Sequence, residues 1–355
     1  MPSTGTTSVD LSGLHLWMRH ESRPTERRAP ITPDDARTLV EHGATMTVER
    51  SEQRVFDTEE YEHAGCRVAD AGSWEDAPAT AYVVGIKELA QDPAELRHTH
   101  IYFAHAYKKQ DGSTDLLQRF VDGGGELIDI EYLAVNQRRV VAFGYWAGYV
   151  GASLAVLAHR GHLSAPLVPT TRMDLDDAVA QASTAPGSAL VIGARGRSGR
   201  GAVDALARGG WELTRWGIQQ TRHLDRATLL SHDLLVNCVV SYGPQDPFVT
   251  VEDVDTERAL RVIGDVTCDV TSDTNLIPLN TATTTWDDPV RRFGEGAAAG
   301  PMDVIAIDNL PSLLPREASV SFSADFVPLL VDLAERTGAF AAAREAFTEA
   351  TAPLR

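Results

Sequence analysis

The stretch Ala189-Leu190-Val191-Ile192-Gly193-Ala194-Arg195-Gly196-Arg197-Ser198-Gly199-Arg200-Gly201-Ala202 decides how this chain is read. Four apolar residues that suit a buried strand run into glycines at 193, 196 and 199, and Val203-Asp204-Ala205-Leu206-Ala207 then suits a helix. A strand that turns sharply into a helix places free backbone N–H groups and the positive end of the helix dipole at one point. Side chains there would hold a pyrophosphate away from them. Gly201 and Ala202 keep the first helical turn thin, so the helix can lie close to the sheet. Strand, loop and helix in this order point to a dinucleotide site, with the spacing G-x-x-G-x-x-G.

Outward from that stretch, the chain reads as α/β throughout. It has 355 residues, enough for two domains. Towards the N-terminus, Leu14–Arg19, Thr45–Glu49, Ala81–Ile86, His100–Ala104 and Glu126–Ile130 read as strands. Thr32 caps a helix whose first residue is Pro33. The last three of these strands deliver Lys87 with Glu88, His105, and Glu131. Ligands of open parallel sheets bind beyond the carboxyl ends of the strands, so these side chains are expected on one rim. Phe143–Arg160 is apolar around most of its circumference, with Gly144, Gly148 and Gly151 at helical spacing. It reads as a buried helix joining two domains, its glycines permitting close backbone contact. After the glycine-rich stretch, strands are expected at Glu212–Gly217, Asp233–Val240, Arg261–Val266 and Asp303–Ile307, with Trp286–Pro301 as a glycine-rich loop. Helices over about 320–333 and 337–349 have no strands to follow and are expected to return to the N-terminal domain.

The expected fold is therefore two Rossmann-like domains with parallel sheets and an active site in the interdomain cleft. The catalytic domain takes residues 14–142 plus 320–355, and the dinucleotide-binding domain takes 143–319.

Composition narrows the partners. A net charge of −18 disfavours nucleic acid and anionic membrane. No apolar run is long enough to span a bilayer, and the first residues lack the pattern of a signal peptide. Cys66, Cys238 and Cys268 show no metal-type spacing and suit a reduced, cytoplasmic setting. No metal is expected. The second strand of a dinucleotide domain ordinarily ends in an acidic residue that holds the ribose of NAD. Here it ends in Gly217, and Arg215 or Arg222 is placed to pair with a 2′-phosphate, so both NAD and NADP stay open.

Seven segments carry a resemblance to a known family: R-R-A-P-I-T-P at 27–33, G-I-K-E-L at 85–89, F-A-H-A-Y-K at 103–108, R-R-V-V-A-F-G at 138–144, I-G-A-R-G-R-S-G at 192–199, D-V-T-C-D at 265–269 and I-D-N-L-P-S-L-L-P-R-E-A-S at 307–319. On these the chain resembles lysine-forming saccharopine dehydrogenase, in the wider group that includes alanine dehydrogenase. The resemblance implies oxidation of saccharopine to lysine and 2-oxoglutarate with NAD, and Lys87 and His105 as the acid–base pair. It implies Arg28, Gln110, Arg139, Phe143, Thr267, Cys268 and Asp269 around the substrate. Around the dinucleotide it implies Arg138, Gly196, Arg197, Thr221, Val240, Val266, Ile307, Asp308, Asn309 and Leu310, to which the reading of the glycine-rich turn and of the second strand's end adds Gly193, Ser198, Gly217 and Arg222. Glu88 and Glu131 are expected to tune the lysine. Saccharopine carries three carboxylates, which suits several arginines. Four positions depart from relatives: Gly217 stands for an aspartate, Ser198 for a cysteine, Val240 for an aromatic residue and Asn309 for a histidine. A related opine or amino-acid dehydrogenase with another amine and 2-oxo acid is the nearest alternative. A non-catalytic dinucleotide-binding regulator is a more distant one, and the reactive side chains at strand ends speak against it.

Overall fold

In the computed structural model, described for residues 10–107, 112–136, 138–182, 185–241, 243, 245–333, 335 and 337–355, the strands fall into two six-stranded sheets and one short hairpin. The first sheet holds β1 (His15–Met18), β2 (Thr45–Glu49), β3 (Arg67–Ala69), β4 (Tyr82–Val84), β5 (Thr99–Tyr102) and β6 (Glu126–Asp129). The hairpin pairs β7 (Ala134–Val135) with β8 (Arg138–Arg139). The second sheet holds β9 (Ser188–Ile192), β10 (Glu212–Trp216), β11 (Leu234–Asn237), β12 (Val262–Asp265), β13 (Arg291–Phe293) and β14 (Met302–Ile305). The chain divides into two compact units, Met1–Ala142 with Ala318–Arg355, and Phe143–Glu317.

In the first unit the order is β3-β2-β1-β4-β5-β6, parallel throughout. The order reverses between β1 and β4, so the crevice beyond their carboxyl ends is where this topology binds ligands. Helix α1 (Pro33–Glu41) returns the chain from β1 to β2. Thr32 caps it as expected, its hydroxyl accepting from the Asp35 N–H at 3.2 Å, a contact worth about 1 kcal/mol. Shorter helices α2 (Thr58–His63) and α3 (Ser113–Gly123) follow. The expected C-terminal helices are present with different limits, as Pro315–Phe326 and Gly338–Thr351. The second docks on β6, where Arg344 pairs with Glu126 and Phe347 meets Phe120 edge-on. The core of this unit gathers Val83, Tyr102, Phe120 and Leu127.

In the second unit the order is β10-β9-β11-β12-β14-β13. Five strands are parallel and reverse direction of winding between β9 and β11. The sixth, β13, corrects the sequence reading. It runs antiparallel to β14, inside the stretch Trp286–Pro301 that local composition marks as loop. Its residues Arg291 and Arg292 are exposed, as suits an edge strand, and carry none of the apolar signal that betrays a central one. The sheet is thus parallel except at this edge.

Helix α4 (Gly144–His159) is buried along most of its length. Helix α5 (Arg172–Ala182) follows, and α6 (Arg197–Arg208) lies against α4. Glycine makes that approach possible. A Cβ at Gly148 would stand on the Ser198 carbonyl oxygen, and one at Gly201 on the Tyr145 carbonyl oxygen. Short helices α7 (Ile218–Arg222) and α8 (Arg226–Leu230) complete the unit before β11.

Candidate active site

At the switch point of the first unit, Lys87 follows β4, and its backbone is gripped by residues that follow β1. The Glu21 carboxylate is buried and accepts the Ile86 N–H at 2.7 Å and the Lys87 N–H at 3.0 Å. Arg19, also buried, pairs with Glu21 at 3.3 Å and donates to the Lys87 carbonyl oxygen. Its guanidinium lies over Gly85, where a Cβ would come within 2.6 Å of Cζ. Gln53 ties the loop down by donating to the carbonyls of Glu21, Arg23 and Glu26. Sequence reading assigns no role to Glu21, Glu26 or Arg19. Two carboxylates and an arginine close together in a strand-end loop are ordinary surface chemistry until the fold shows them buried.

The Lys87 ammonium sits in the field of two carboxylates. Burial pushes Glu88 up, but its own N–H, Arg23 and Lys87 together bring it below its ordinary value. Glu88 is held by Arg23 at 2.6 Å. Glu26 is 1% exposed; burial pushes it up, and Arg28 with Lys87 more than offsets that. The Nε and Nη2 of Arg28 both donate to Glu26, at 2.8 and 2.6 Å. This expected substrate residue is therefore already neutralised by a buried partner.

Beyond β5 and β6, His105 Nδ1 lies 2.9 Å from a Glu131 carboxylate oxygen, and the other oxygen accepts from Arg139. The Glu131 N–H donates to Asp129, a buried residue whose carboxyl is pushed up chiefly by burial. With Nδ1 turned to a carboxylate, the Nε2 of His105 is the edge presented outward. His105 has φ 52°, one of three non-glycine residues with left-handed φ among the described residues. Cys268, with φ 55°, is another. Such conformations persist only where the surroundings enforce them, and they collect at functional sites. Gln110 lies outside the described residues.

In the second unit, Gly193 has φ +80° and Gly196 caps the twelve-residue helix α6. A Cβ at Gly199 would stand on the Gly193 carbonyl oxygen. The turn is bare, sits beside the switch between β9 and β11, and ends at a helix N-terminus, so it fits a pyrophosphate. Across that switch, the buried Asp265 accepts from Asn237 at 3.0 Å and from Thr267 at 2.8 Å, and burial pushes its carboxyl up. Cys268 Sγ donates to the Ala306 carbonyl oxygen, and burial pushes its thiol up to about 12. Val266 and Asp269 flank these residues, and Ile307, Asp308, Asn309 and Leu310 follow β14 on the neighbouring strand. Val240 is 44% exposed beyond β11. Thr221 and Arg222 line one hollow with Asp246, while Gly217 lines another. Arg138 is exposed on β8, and Phe143 lies at the start of α4. Among the described residues no group of three His, Cys, Asp or Glu side chains is placed to hold a metal ion, and no helix is long and apolar enough to cross a membrane.

In fold the chain joins the class of alanine dehydrogenase and pyridine nucleotide transhydrogenase. Residues 17–150 match the alanine dehydrogenase/PNT N-terminal domain. An L-alanine dehydrogenase structure superposes with a TM-score of 0.69 at 19% identity, covering 96% of this chain and 100% of that one. A transhydrogenase from Sinorhizobium meliloti superposes with a TM-score of 0.65 at 16% identity, covering 90% and 94%. Sequence similarity is closer to another group. The chain is 39% identical to a saccharopine dehydrogenase [NAD(+), L-lysine-forming] of Schizosaccharomyces pombe, over 90% of this chain and 93% of that protein. It is 38% identical to its namesake from Neurospora crassa, over 96% and 97%. The chain belongs to the saccharopine dehydrogenase family, oxidoreductases that bind a nicotinamide cofactor.

Proposed function

We propose that this chain interconverts saccharopine with L-lysine and 2-oxoglutarate, with Lys87 and His105 as its acid–base groups. The observation that carries this reading is the pair of strand-end residues, each held by a carboxylate: Lys87 by the buried Glu21 through its backbone N–H, and His105 by the partly buried Glu131 through Nδ1. A nicotinamide dinucleotide with its pyrophosphate at the Gly193–Gly199 turn, beside Arg197 and Ser198, would supply the hydride acceptor or donor.

The remaining chemistry is proton movement on the substrate. Oxidation of the secondary amine leaves an imine, water adds to its carbon, and the carbinolamine collapses to the primary amine and the 2-oxo acid. The Nζ of Lys87 takes the proton of the secondary amine, and the Nε2 of His105 takes one from the attacking water and returns it to the leaving nitrogen. Two such groups contribute on the order of 10²–10⁴-fold each. Glu88 and Glu26 stabilise the ammonium that Lys87 becomes on taking that proton, while Glu131 fixes the histidine tautomer. The resemblance assigns Arg28 and Arg139 to substrate carboxylates; the pairs that they already make with Glu26 and Glu131 hold each guanidinium in place and offset part of its charge. The resemblance assigns Thr267, Cys268 and Asp269 to the substrate as well.

The test follows oxidation of the reduced nicotinamide on addition of lysine and 2-oxoglutarate. Turnover is expected with this pair and not with pyruvate plus ammonium. Lys87→Met is expected to lower kcat by 10²–10⁴-fold with little change in dinucleotide affinity. Turnover only with a different amine, or an undiminished kcat in Lys87→Met, refutes the assignment.

A further inference from the structure

Three arginines without partners meet at the carboxyl end of β10. A hollow of about 540 Å³ there is lined by Ala194, Arg195, Arg200, Arg215, Gly217 and Gln220, among others. Arg195 comes from the glycine-rich turn, Arg200 from the first turn of α6 and Arg215 from β10, which pairs in parallel with β9. All three are exposed, and among the described residues none of their guanidiniums makes a hydrogen bond or ion pair. No Asp or Glu lines the hollow. In a chain of net charge −18, three unneutralised guanidiniums around one hollow run against the composition.

Gly217 sharpens the point. Its φ of −120° and ψ of −167° are extended backbone open to any residue. A Cβ there would meet only the Gln220 Oε1, at 3.8 Å. Neither conformation nor crowding requires glycine, so the bare position is room for something else. Gln220 Oε1 accepts the Gly217 N–H at 2.9 Å, which turns its amide NH₂ outward as a donor. Arg222 lines a separate hollow beside Asp246 and does not join this group.

The end of the second strand of a dinucleotide fold is where the adenosine ribose lies. A carboxylate there binds the 2′-hydroxyl, and an arginine there accommodates a 2′-phosphate. We infer that this hollow is a 2′-phosphate subsite and that the chain takes NADP(H) in preference to NAD(H), unlike the NAD(+)-named relatives. Arg195, Arg200 and Arg215 would surround a phosphate dianion with planar, bidentate donors, the geometry at which arginine excels. Each such charge-assisted contact is worth roughly ten- to a hundredfold in affinity. The inference rests on the reading of this unit as the dinucleotide site.

Equilibrium binding of NADPH and of NADH, each alone and without amine or 2-oxo acid, tests it. Quenching of tryptophan fluorescence gives Kd for the wild-type chain, for Gly217→Asp and for Arg195→Ala/Arg215→Ala. All of these positions are exposed or uncrowded, so folding is retained. NADPH is expected to bind at least tenfold more tightly than NADH, and both variants are expected to lower that ratio at least tenfold. In competition, 2′-AMP is expected to displace NADPH more effectively than 5′-AMP. NADH binding as tightly as NADPH, or a ratio unmoved by both variants, overturns the inference. So does displacement by 2′-AMP and by inorganic phosphate alike, which would mark a general anion site. NADH-supported turnover of lysine and 2-oxoglutarate without NADPH preference leaves the proposed function standing and removes only the subsite. Failure of both dinucleotides to bind removes both.

Discussion

Replacing Glu21 by Gln exchanges one carboxylate oxygen for an NH₂ group in a place where both oxygens accept. The residue is 5% exposed, its two oxygens receive the N–H groups of Ile86 and Lys87, and Arg19 closes on it from the side. Glutamine keeps one acceptor and sets a donor against the other N–H. A buried donor left without an acceptor costs about 1–3 kcal/mol. Loss of the negative partner leaves Arg19 charged and buried, and breaking such pairs costs about 3–5 kcal/mol where no other acceptor compensates. Arg19 keeps two carbonyl acceptors, those of His20 and Lys87, so the lower end applies. Together these predict a loss of about 3 kcal/mol in Glu21→Gln and more in Glu21→Ala. By contrast, removing the half-exposed Arg23–Glu88 pair should cost no more than about 1 kcal/mol. Release of the Lys87 backbone also moves Nζ, and a displacement near 1 Å from productive geometry costs on the order of 10²-fold in rate. Urea denaturation followed by circular dichroism measures the first effect, and kcat and KM under folded conditions measure the second. A fall in kcat with KM nearly constant is expected. Stability within 1 kcal/mol of wild type together with kcat within threefold would show that Glu21 does not hold the lysine in place.

Two further perturbations test the packing. His100 is fully buried, meets Trp74 edge-on at 4.9 Å, and has no partner for either ring nitrogen. Burial first, then Arg19 and other nearby cations, lowers its pKa well below the ordinary value of 6.5. Because the unfolded chain then binds the extra proton, stability is complete above pH 6.5 and falls below it by up to about 1.4 kcal/mol per pH unit. His100→Phe should flatten that limb, and an unchanged slope between pH 6.5 and 5 in urea titrations would contradict it. Gly201→Ala gains about 1 kcal/mol in helix propensity but drives a methyl into the Tyr145 carbonyl. Overpacking costs about 1–3 kcal/mol or more, and a clash with backbone cannot be relieved by a rotamer change. We expect a lower melting temperature and weaker dinucleotide binding, since α6 carries the glycine turn; a stabilised variant would mean the two helices have room to part.

Local chemistry made much of this chain legible. The glycine turn, the Thr32 cap and the Lys87 and His105 strand ends depend on residues within a few positions of each other, and such signals survive in sequence. Strand β13 did not show, because an exposed two-arginine edge has no hydrophobic period to read. Nor did the roles of Arg19, Glu21 and Glu26. Their contacts with Lys87 span more than sixty positions and exist only because β1 and β4 lie side by side, an arrangement set by sheet order. The same holds for the hollow at β10. Sequence alone shows that Gly217 replaces a carboxylate and that arginines are near. Parallel pairing of β9 with β10 decides which of them converge, bringing Arg195, Arg200 and Arg215 together and leaving Arg222 in another hollow. Short-range propensity and capping are written residue by residue, whereas the position of a buried charge is a property of the strands that bury it.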